Sequence, residues 1–219
     1  MKCVRPPRKG IDRLKEPFLT FACGTQALRR RTEALTWGIG GALGVAADPY
    51  PHQIATVRRI LTDIRIRHLI ADEVGLGKTV QAIMILNALR WQNPAHKTVI
   101  VTPERLIGQW QTEIWTRGHV QAAVLGSEEA ERAEAPSVLL VRPRDIQEHS
   151  SVLDPLNRSL LIVDEPQSIP IEVMERVAAA CSGNTRNDLA RFRQVLVLSA
   201  TPRLGDPRWR SVVLEMLEP

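Results

Sequence analysis

The chain has 219 residues, a length that suits one large domain able to bury a hydrophobic core. A hydrophobic fraction of 44% and a charged fraction of 24% are ordinary for a soluble globular protein, and they argue against a membrane-embedded one. The net charge of +5 is compatible with a polyanionic partner, but a protein that is merely basic would carry the same charge.

The cysteines give no framework for a metal site or for disulfides. Cys3, Cys23 and Cys181 are odd in number, far apart and without a C-x-x-C pair, which fits a reducing compartment. Residues 29–47 place basic residues before a Gly-rich apolar run, but this run starts too late for an ordinary signal peptide and is too short to span a bilayer. We interpret it as a loop or packing segment and predict a cytoplasmic protein with no membrane partner.

Two regions are expected along the chain. Residues 1–48 read as an irregular, basic, Pro/Gly-punctuated lead-in, and residues 49–219 alternate short apolar runs with amphipathic stretches. The apolar runs predict strands at residues 68–72, 97–103, 122–126, 137–141, 159–165 and 194–202. The amphipathic stretches predict helices at residues 54–61, 79–91, 104–115, 144–149, 171–181 and 209–217. Residues 182–193 are polar and are expected to form a mobile excursion before the last strand.

The predicted strands are nearly continuous apolar runs. Such runs are typical of strands buried on both faces, as in a parallel sheet flanked by helices. The pattern therefore predicts an α/β, doubly wound fold, in which ligands gather at the carboxyl ends of the strands.

The segment after the first predicted strand reads ADEVGLGKTVQ, residues 71–81. It contains Gly-Lys-Thr, the last three positions of the phosphate-binding pattern G-x-x-x-x-G-K-[ST]. In such a loop Lys78 would reach the β- and γ-phosphates of ATP, and the Thr79 hydroxyl would ligate Mg²⁺. Asp72 replaces the first glycine, and we expect it to be tolerated because aspartate enters left-handed conformations more readily than most residues. A surface Gly-Lys turn is the plain alternative, which the strand before the loop and the helix after it disfavour.

A pair of acidic residues follows another buried strand, in LLIVDEPQ at residues 160–167. Asp164 can hold Mg²⁺ through its water shell, and Glu165 can orient and deprotonate the attacking water. By itself an Asp-Glu pair after a strand is a common turn. With the loop in the same sheet, it predicts a Walker-B-type site.

The last predicted strand runs into SATP. Its Ser199 and Thr201 hydroxyls can bridge neighbouring strand ends, although Ser-Ala-Thr is also a good helix cap.

These three elements, in this order, resemble the first motor lobe of superfamily 2 helicase-like ATPases, specifically the SNF2-like translocases. In that family the loop is commonly D-E-x-G-L-G-K-T, so the aspartate is a family feature rather than damage. The set PHQ, ADEVGLGKT, VTPERLIGQW, SATPRLGDP and LEMLEP is most similar to the bacterial branch that includes the RNA-polymerase-associated recycling ATPase. The resemblance covers roughly residues 48–219 and implies a RecA-like P-loop lobe.

The resemblance assigns roles to matching positions of this chain, with Gln53 as the reader of adenine. It implies ATP binding by Gln53, Asp72, Glu73, Val74, Gly75, Leu76, Gly77, Lys78 and Thr79. It implies magnesium ligation by Thr79 and Asp164, and catalysis by Lys78 and Glu165. It implies coupling by Gln167, Ser199, Ala200 and Thr201, and contact with a nucleic-acid backbone by Thr102 and Pro103.

The sequence departs from the family in its second motif, usually D-E-A-H, where Pro166 and Gln167 replace Ala and His. Glutamine still donates and accepts hydrogen bonds, so coupling can survive in altered form. One Tyr, three Phe and five Trp are few aromatic residues, which argues against a stacking platform for single strands and favours tracking along phosphates. We interpret Trp110 and Trp115 as core packing.

The sequence therefore predicts the ATP-binding lobe of a DNA-dependent ATPase that uses ATP and Mg²⁺ on double-stranded DNA. Pro219 falls about where the family's first lobe ends, so we expect a second RecA-like lobe in cis or in trans, and weak or no turnover by the isolated chain. RNA polymerase or another DNA-bound complex is a further candidate partner. The rival hypothesis is a nucleotide-binding regulatory or scaffold module, or a truncated motor, without turnover. A P-loop kinase or GTPase is disfavoured because neither DEPQ nor SATP belongs to those classes.

Overall fold

The computed structural model describes residues 44–46, 48–132, 136–148, 153, 160–182, 192 and 194–218. The predictions for residues 1–43 and 183–191 lie outside the described residues. No helix within the described ranges is long and apolar enough to cross a membrane.

A parallel sheet flanked by helices forms the described part of the chain. Its strands are β1 (Arg67–Ile70), β2 (Thr98–Val101), β3 (Ala122–Val124), β4 (Val138–Val141), β5 (Leu160–Asp164) and β6 (Gln194–Leu198). Its α-helices are α1 (Pro51–Thr62), α2 (Lys78–Gln92), α3 (Ile107–Gly118), α4 (Glu128–Arg132), α5 (Pro143–Glu148), α6 (Ile171–Ser182) and α7 (Pro207–Leu217). The strand order is β1-β6-β5-β2-β4-β3, with every pair parallel. The predicted α/β fold with a mainly parallel sheet is confirmed.

Both faces of the sheet are covered, which explains why the strands are apolar at nearly every position. Successive side chains of a strand point to opposite faces. Ile100 and Ile162 join the core that α1, α2 and α3 cover, whereas Val101 and Val163 join the core under α6 and α7. Strands β2, β4 and β5 are buried along their whole length.

The elements differ from the sequence predictions mainly at their ends. β1 ends at Ile70 and β6 ends at Leu198, because the polar residues that follow turn into loops at the carboxyl edge of the sheet. Gln53 lies inside the first turn of α1 rather than before the helix. Helix α4 was not predicted, since its five residues are charged or small and show no apolar periodicity.

Arg67 ties the start of β1 to the helices on one face of the sheet. Its guanidinium donates hydrogen bonds to the carbonyl oxygens of Met216, Cys181 (3.2 Å) and Phe192 (2.8 Å). The first two carbonyls belong to the last turns of α7 and α6, where helix carbonyls lack partners and the helix dipole attracts a cation. One side chain therefore caps two helices against the edge strand.

Replacing Arg67 by Met should lower the free energy of unfolding by about 2–4 kcal/mol, because buried carbonyls would lose charged donors. Urea denaturation measures the change. Arg210→Met is the matched control, since Arg210 is exposed on α7, and it should change stability by less than about 0.5 kcal/mol. Equal stability of the two variants would contradict the capping role of Arg67.

Candidate nucleotide site

A cleft of about 670 Å³ opens at the carboxyl edge of the sheet. On one side it is lined by the loop and the start of α2, and on the other by the acidic pair and α3. The loop and helix contribute Val74, Gly75, Gly77, Lys78, Thr79 and Val80. The end of β5 contributes Asp164 and Glu165. The Gly-Lys-Thr bend and the Asp-Glu pair, far apart in sequence, therefore face one space.

Two glycines shape the loop between β1 and α2. Gly75 has a φ of 87° and Gly77 a φ of 79°, in the left-handed region that favours glycine. Gly77 is the N-cap of α2, so the loop turns directly into the first helical turn. The amide groups at such a helix start are unpaired donors that attract anions.

Asp72 supports the loop in a way that the sequence did not predict. Among the described non-glycine residues, only His119 and Glu165 have positive φ, so the expectation that Asp72 would adopt a left-handed conformation is wrong. Its carboxylate instead accepts a hydrogen bond of 2.6 Å from Nε2 of Gln81, a fully buried residue of α2. Asp72 thus fixes the loop to the helix through its side chain.

The ammonium of Lys78 is held within the same loop. Its Nζ donates to the carbonyl oxygens of Asp72 at 2.9 Å and Glu73 at 3.1 Å. These neutral acceptors keep the charge beside the cleft without pairing it with a carboxylate. The cation therefore remains available to an anion that enters the cleft.

Gln53 packs directly against the turn of the loop. Its Nε2 donates to the carbonyl oxygen of Leu76 at 2.9 Å, and its Oε1 accepts from the backbone N–H of Tyr50 at 3.0 Å. Gln53 is only 3% exposed, whereas Tyr50 is 63% exposed, stacks on the ring of His52 and also lines the cleft. Counting the described residues alone, each polar atom of the Gln53 amide has one further hydrogen-bonding position.

Asp164 sits at the end of β5 with one oxygen engaged by neighbours. Its Oδ2 accepts hydrogen bonds from the indole N–H of Trp110 at 2.8 Å and from the hydroxyl of Thr102 at 3.2 Å. Burial raises the pKa of Asp164, and these two hydrogen bonds oppose that shift. Glu165 raises this pKa further and Lys78 lowers it, so both charges act on Asp164.

Glu165 adopts a backbone conformation that is unusual for its residue type, with φ 47° and ψ 54°. Left-handed backbone at a non-glycine residue costs of order 1–2 kcal/mol and persists where the surroundings impose it. Here the Glu165 N–H donates to the Leu198 carbonyl of the neighbouring strand at 2.9 Å. This bond continues the pairing with β6, and the left-handed backbone of Glu165 then turns the chain away from β5, with the side chain half-buried at the cleft.

A line of hydrogen bonds joins the acidic pair to the SATP segment. The Gln167 amide donates to the Glu165 carboxylate, and the Ser199 hydroxyl donates to Gln167 Oε1 at 2.9 Å. The Thr201 N–H in turn donates to the Ser199 hydroxyl at 3.2 Å. Ala200 lies between Ser199 and Thr201 and has no polar side-chain atom to join this line. Gln167 thus occupies the connecting position for which the family pattern has histidine.

Burial bears on two interpretations made from the sequence. Thr102 and Pro103 are both buried and the Thr102 hydroxyl is directed to Asp164, so a contact of this turn with a nucleic-acid backbone stays a prediction. Trp115 is 58% exposed and is not a core residue. The reason is its spacing: residues five apart on a helix lie about 140° apart around its axis, and Trp110 and Ile114 form the buried side.

Sequence reasoning also missed two supporting residues. The Gln81–Asp72 bond spans nine positions, and helical apolar periodicity gives no reason to expect a buried glutamine there. The role of Trp110 follows only when β2 and β5 are known to be neighbours. The contact of Thr102 with Asp164 had a sequence signal, because VIVT and LIVD both place a polar residue at the carboxyl end of an apolar run.

The fold and the cleft together define a RecA-like α/β lobe of the ATPase type. The chain matches the SNF2-related domain over residues 52–205. It is 29% identical over 225 residues to the RNA polymerase-associated protein RapA of Pseudomonas aeruginosa (strain LESB58), covering 93% of this chain and 22% of that protein. RapA of Pseudomonas syringae pv. tomato is 30% identical over 200 residues, covering 87% of this chain and 20% of that protein.

The chain belongs to the SNF2-related domain family, and the predicted resemblance to SNF2-like ATPases of the RapA branch is confirmed. It spans about a fifth of the length of the curated relatives it matches.

Solved structures agree on the fold. The SWI2/SNF2 ATPase core of Sulfolobus solfataricus in complex with dsDNA has a TM-score of 0.62 and 17% identity, covering 80% of this chain and 37% of that chain. The UvsW helicase of bacteriophage T4 has a TM-score of 0.61 and 14% identity, covering 76% of this chain and 58% of that chain.

The two loop glycines should differ in their tolerance of alanine. A Cβ at Gly77 would lie 2.2 Å from Gln53 Nε2, whereas a Cβ at Gly75 would meet nothing within 4 Å. Gly75→Ala should cost about 1 kcal/mol of folding stability from backbone strain alone. Gly77→Ala should cost more, because it also displaces the Gln53 amide from Leu76. Thermal and urea unfolding of both variants measures the difference, and equal losses would contradict the close approach of Gln53.

Proposed function

We propose that this lobe binds Mg·ATP in the cleft and is the nucleotide-binding half of a DNA-dependent ATPase motor. The observation that carries the proposal is the convergence of Lys78, Thr79, Asp164 and Glu165 on one cleft. A structural turn would have no need to bring an ammonium group, a hydroxyl and two carboxylates together at the carboxyl edge of a parallel sheet.

The loop and Lys78 would bind the phosphates. Gly75 and Gly77 give the backbone its close approach, and the start of α2 adds the partial positive charge of a helix N-terminus. The Lys78 ammonium would move from two neutral carbonyls to the β- and γ-phosphate oxygens, a gain in charge pairing. Val74 and Leu76 contribute the exposed apolar tip of the loop, and Glu73 and Asp72 contribute backbone carbonyls.

Thr79 and Asp164 fit a magnesium ion. A hydroxyl and a carboxylate that line one cleft are hard oxygen donors, the type that Mg²⁺ prefers. When bound, the ion neutralises charge on the phosphates. Thr79 would hold it directly and Asp164 through its water shell, as the sequence predicted.

Glu165 is the proposed general base. It lies one residue beyond Asp164, half-buried at the cleft, and its carboxylate is oriented by the Gln167 amide. An oriented carboxylate can position the attacking water and take its proton. Gln53, beside the loop, would read adenine with the amide hydrogen and the lone pair that its bonds to the described residues Leu76 and Tyr50 do not use.

The Glu165–Gln167–Ser199 line is the proposed coupling path. A change in the position of Glu165 would be transmitted through the amide of Gln167 to Ser199, Ala200 and Thr201. This segment follows β6, and Thr201 is exposed. Gln167 would serve here as histidine does elsewhere in the family.

The partners are proposed from the relatives. One structural neighbour is a SWI2/SNF2 core in complex with dsDNA, and the curated relatives are RNA polymerase-associated. We therefore propose duplex DNA as the track, RNA polymerase or another DNA-bound complex as a partner, and a second RecA-like lobe in cis or in trans. Residues 49–219 would form the ATP-binding lobe and residues 1–48 its lead-in. DNA binding through phosphates should weaken steeply with salt.

Lys78→Ala should weaken ATP binding by at least about tenfold, since one charged hydrogen bond is worth about 1.5–3 kcal/mol. Isothermal titration calorimetry with ATP and Mg²⁺ on the 219-residue chain measures this. Lys97→Ala is the matched control, because Lys97 lies at the amino end of β2, away from the cleft. ATP affinity unchanged by Lys78→Ala would refute the assignment of the phosphate site.

Glu165→Gln should retain ATP binding and abolish hydrolysis in a protein that contains both lobes. Phosphate release with and without duplex DNA is the measurement. Gln keeps the size of the side chain and removes its capacity to accept a proton, so persistent turnover would exclude Glu165 as the base.

The same assay on the isolated 219-residue chain separates the motor from its rival. Release at background, with ATP still bound, favours a nucleotide-binding module without turnover of its own. Strong DNA-stimulated release would mean that this lobe completes an active site without the proposed second lobe.

A further inference from the structure

Trp110 reaches from α3 to the end of β5 and contacts the acidic pair. Its indole N–H donates to Asp164 Oδ2 at 2.8 Å, and the Thr102 hydroxyl donates to the same oxygen at 3.2 Å. Both donors are buried, with Trp110 2% exposed and Thr102 0% exposed. Within the described part of the chain, no hydrogen bond to Oδ1 is recorded, although Asp164 lines the cleft.

Two donors on one oxygen restrict the rotation of a carboxylate. An aspartate side chain turns easily about its last bond, so an unsupported Asp164 would sample several orientations. The Trp110 ring itself is fixed, because it packs in the core beneath α3 beside Ile114. Thr102 is fixed as well, since it follows β2 and lies beside Asp164 on the neighbouring strand. Oδ2 is therefore held from two rigid elements.

Core packing alone does not account for this arrangement. An apolar ring would fill the same space beneath α3, and the sequence pattern predicts no more than that. Indole differs from an apolar ring by its single N–H donor. In Trp110 that N–H donates a hydrogen bond to the carboxylate of Asp164. The donor is also directed at a side chain that lines the cleft rather than at a backbone group.

We propose that Trp110 is a positioning residue for the magnesium site: with Thr102 it locks Oδ2 of Asp164 and leaves Oδ1 turned toward the cleft. The proposal rests on the proposed function, because Trp110 acts through Asp164. Trp110 also lines the cleft, but its proposed role is the hydrogen bond to Asp164, not a contact with the metal or the phosphates, and phenylalanine would keep the six-membered ring. Removing the Trp110 hydrogen bond should therefore weaken nucleotide binding in the presence of Mg²⁺ and leave binding without Mg²⁺ unchanged.

The test is calorimetric titration of the full chain with a non-hydrolysable ATP analogue, over a series of Mg²⁺ concentrations and in EDTA. Trp110→Phe should weaken the magnesium-supported affinity about tenfold, the size of one hydrogen bond to a charged group, and leave the affinity in EDTA unchanged. Trp209→Phe is the matched control, because Trp209 is also buried but lies in the opposite core under α7. It should change neither affinity.

A second variant keeps the test valid if Trp110→Phe does not fold, which a thermal melt would reveal. Thr102→Val has nearly the same shape and removes the other donor, so it should shift the magnesium dependence in the same direction. Loss of affinity to the same extent with and without Mg²⁺, or no loss at all, would overturn the proposal.

Asp164→Asn distinguishes the two levels of inference. If Asp164→Asn abolishes the magnesium dependence while Trp110→Phe keeps the wild-type dependence, only the positioning role fails. If Asp164→Asn leaves the magnesium dependence intact, the proposed metal role of Asp164 fails and the positioning role with it.

Discussion

The site depends on how the parallel ladder ends. The last main-chain hydrogen bonds at this edge run from Glu165 N–H to the Leu198 carbonyl and from Ser199 N–H to the Ile70 carbonyl. They bind the ends of β5, β6 and β1 into one rim, with Asp164 level with Leu198 in the register. The segments that follow these three strands therefore leave the sheet side by side: the loop after β1, the acidic pair at the end of β5, and SATP after β6. Their side chains meet because their backbones are already paired.

That rim explains which features the sequence could predict. The four inner strands are buried along nearly all of their length, so they can be recognised in the sequence as apolar runs. The six predicted strands are all present. The loop and the acidic pair are local patterns with a local physical reason. The contacts of Trp110 and Thr102 with Asp164 are different, because they require that β2 lies beside β5. Strand order is a long-range property that no window of residues contains.

The two residues of the acidic pair lie in different surroundings although they are neighbours in the chain. Asp164 is the last residue of β5, buried and held by two donors, whereas Glu165 follows the strand in a left-handed turn. In a straight strand, consecutive side chains point to opposite faces of the sheet. The left-handed turn at Glu165 instead gives the Asp164 and Glu165 side chains different surroundings at the edge of the sheet. Glutamine at position 167 suits this geometry, since one amide can donate to Glu165 and accept from Ser199 at the same time.

Positive charge is scarce along the described lining of the cleft. The arginines among these lining residues are Arg105 and Arg117, both from the α3 side. Arg105 donates to the Ser168 hydroxyl, and Arg117 pairs with Glu113. Lys78 alone would then face the growing charge of phosphoryl transfer, for which an added arginine is worth about 10³–10⁵ in rate. So little positive charge along the described lining is the physical ground for proposing that a second lobe contributes further cations to the site.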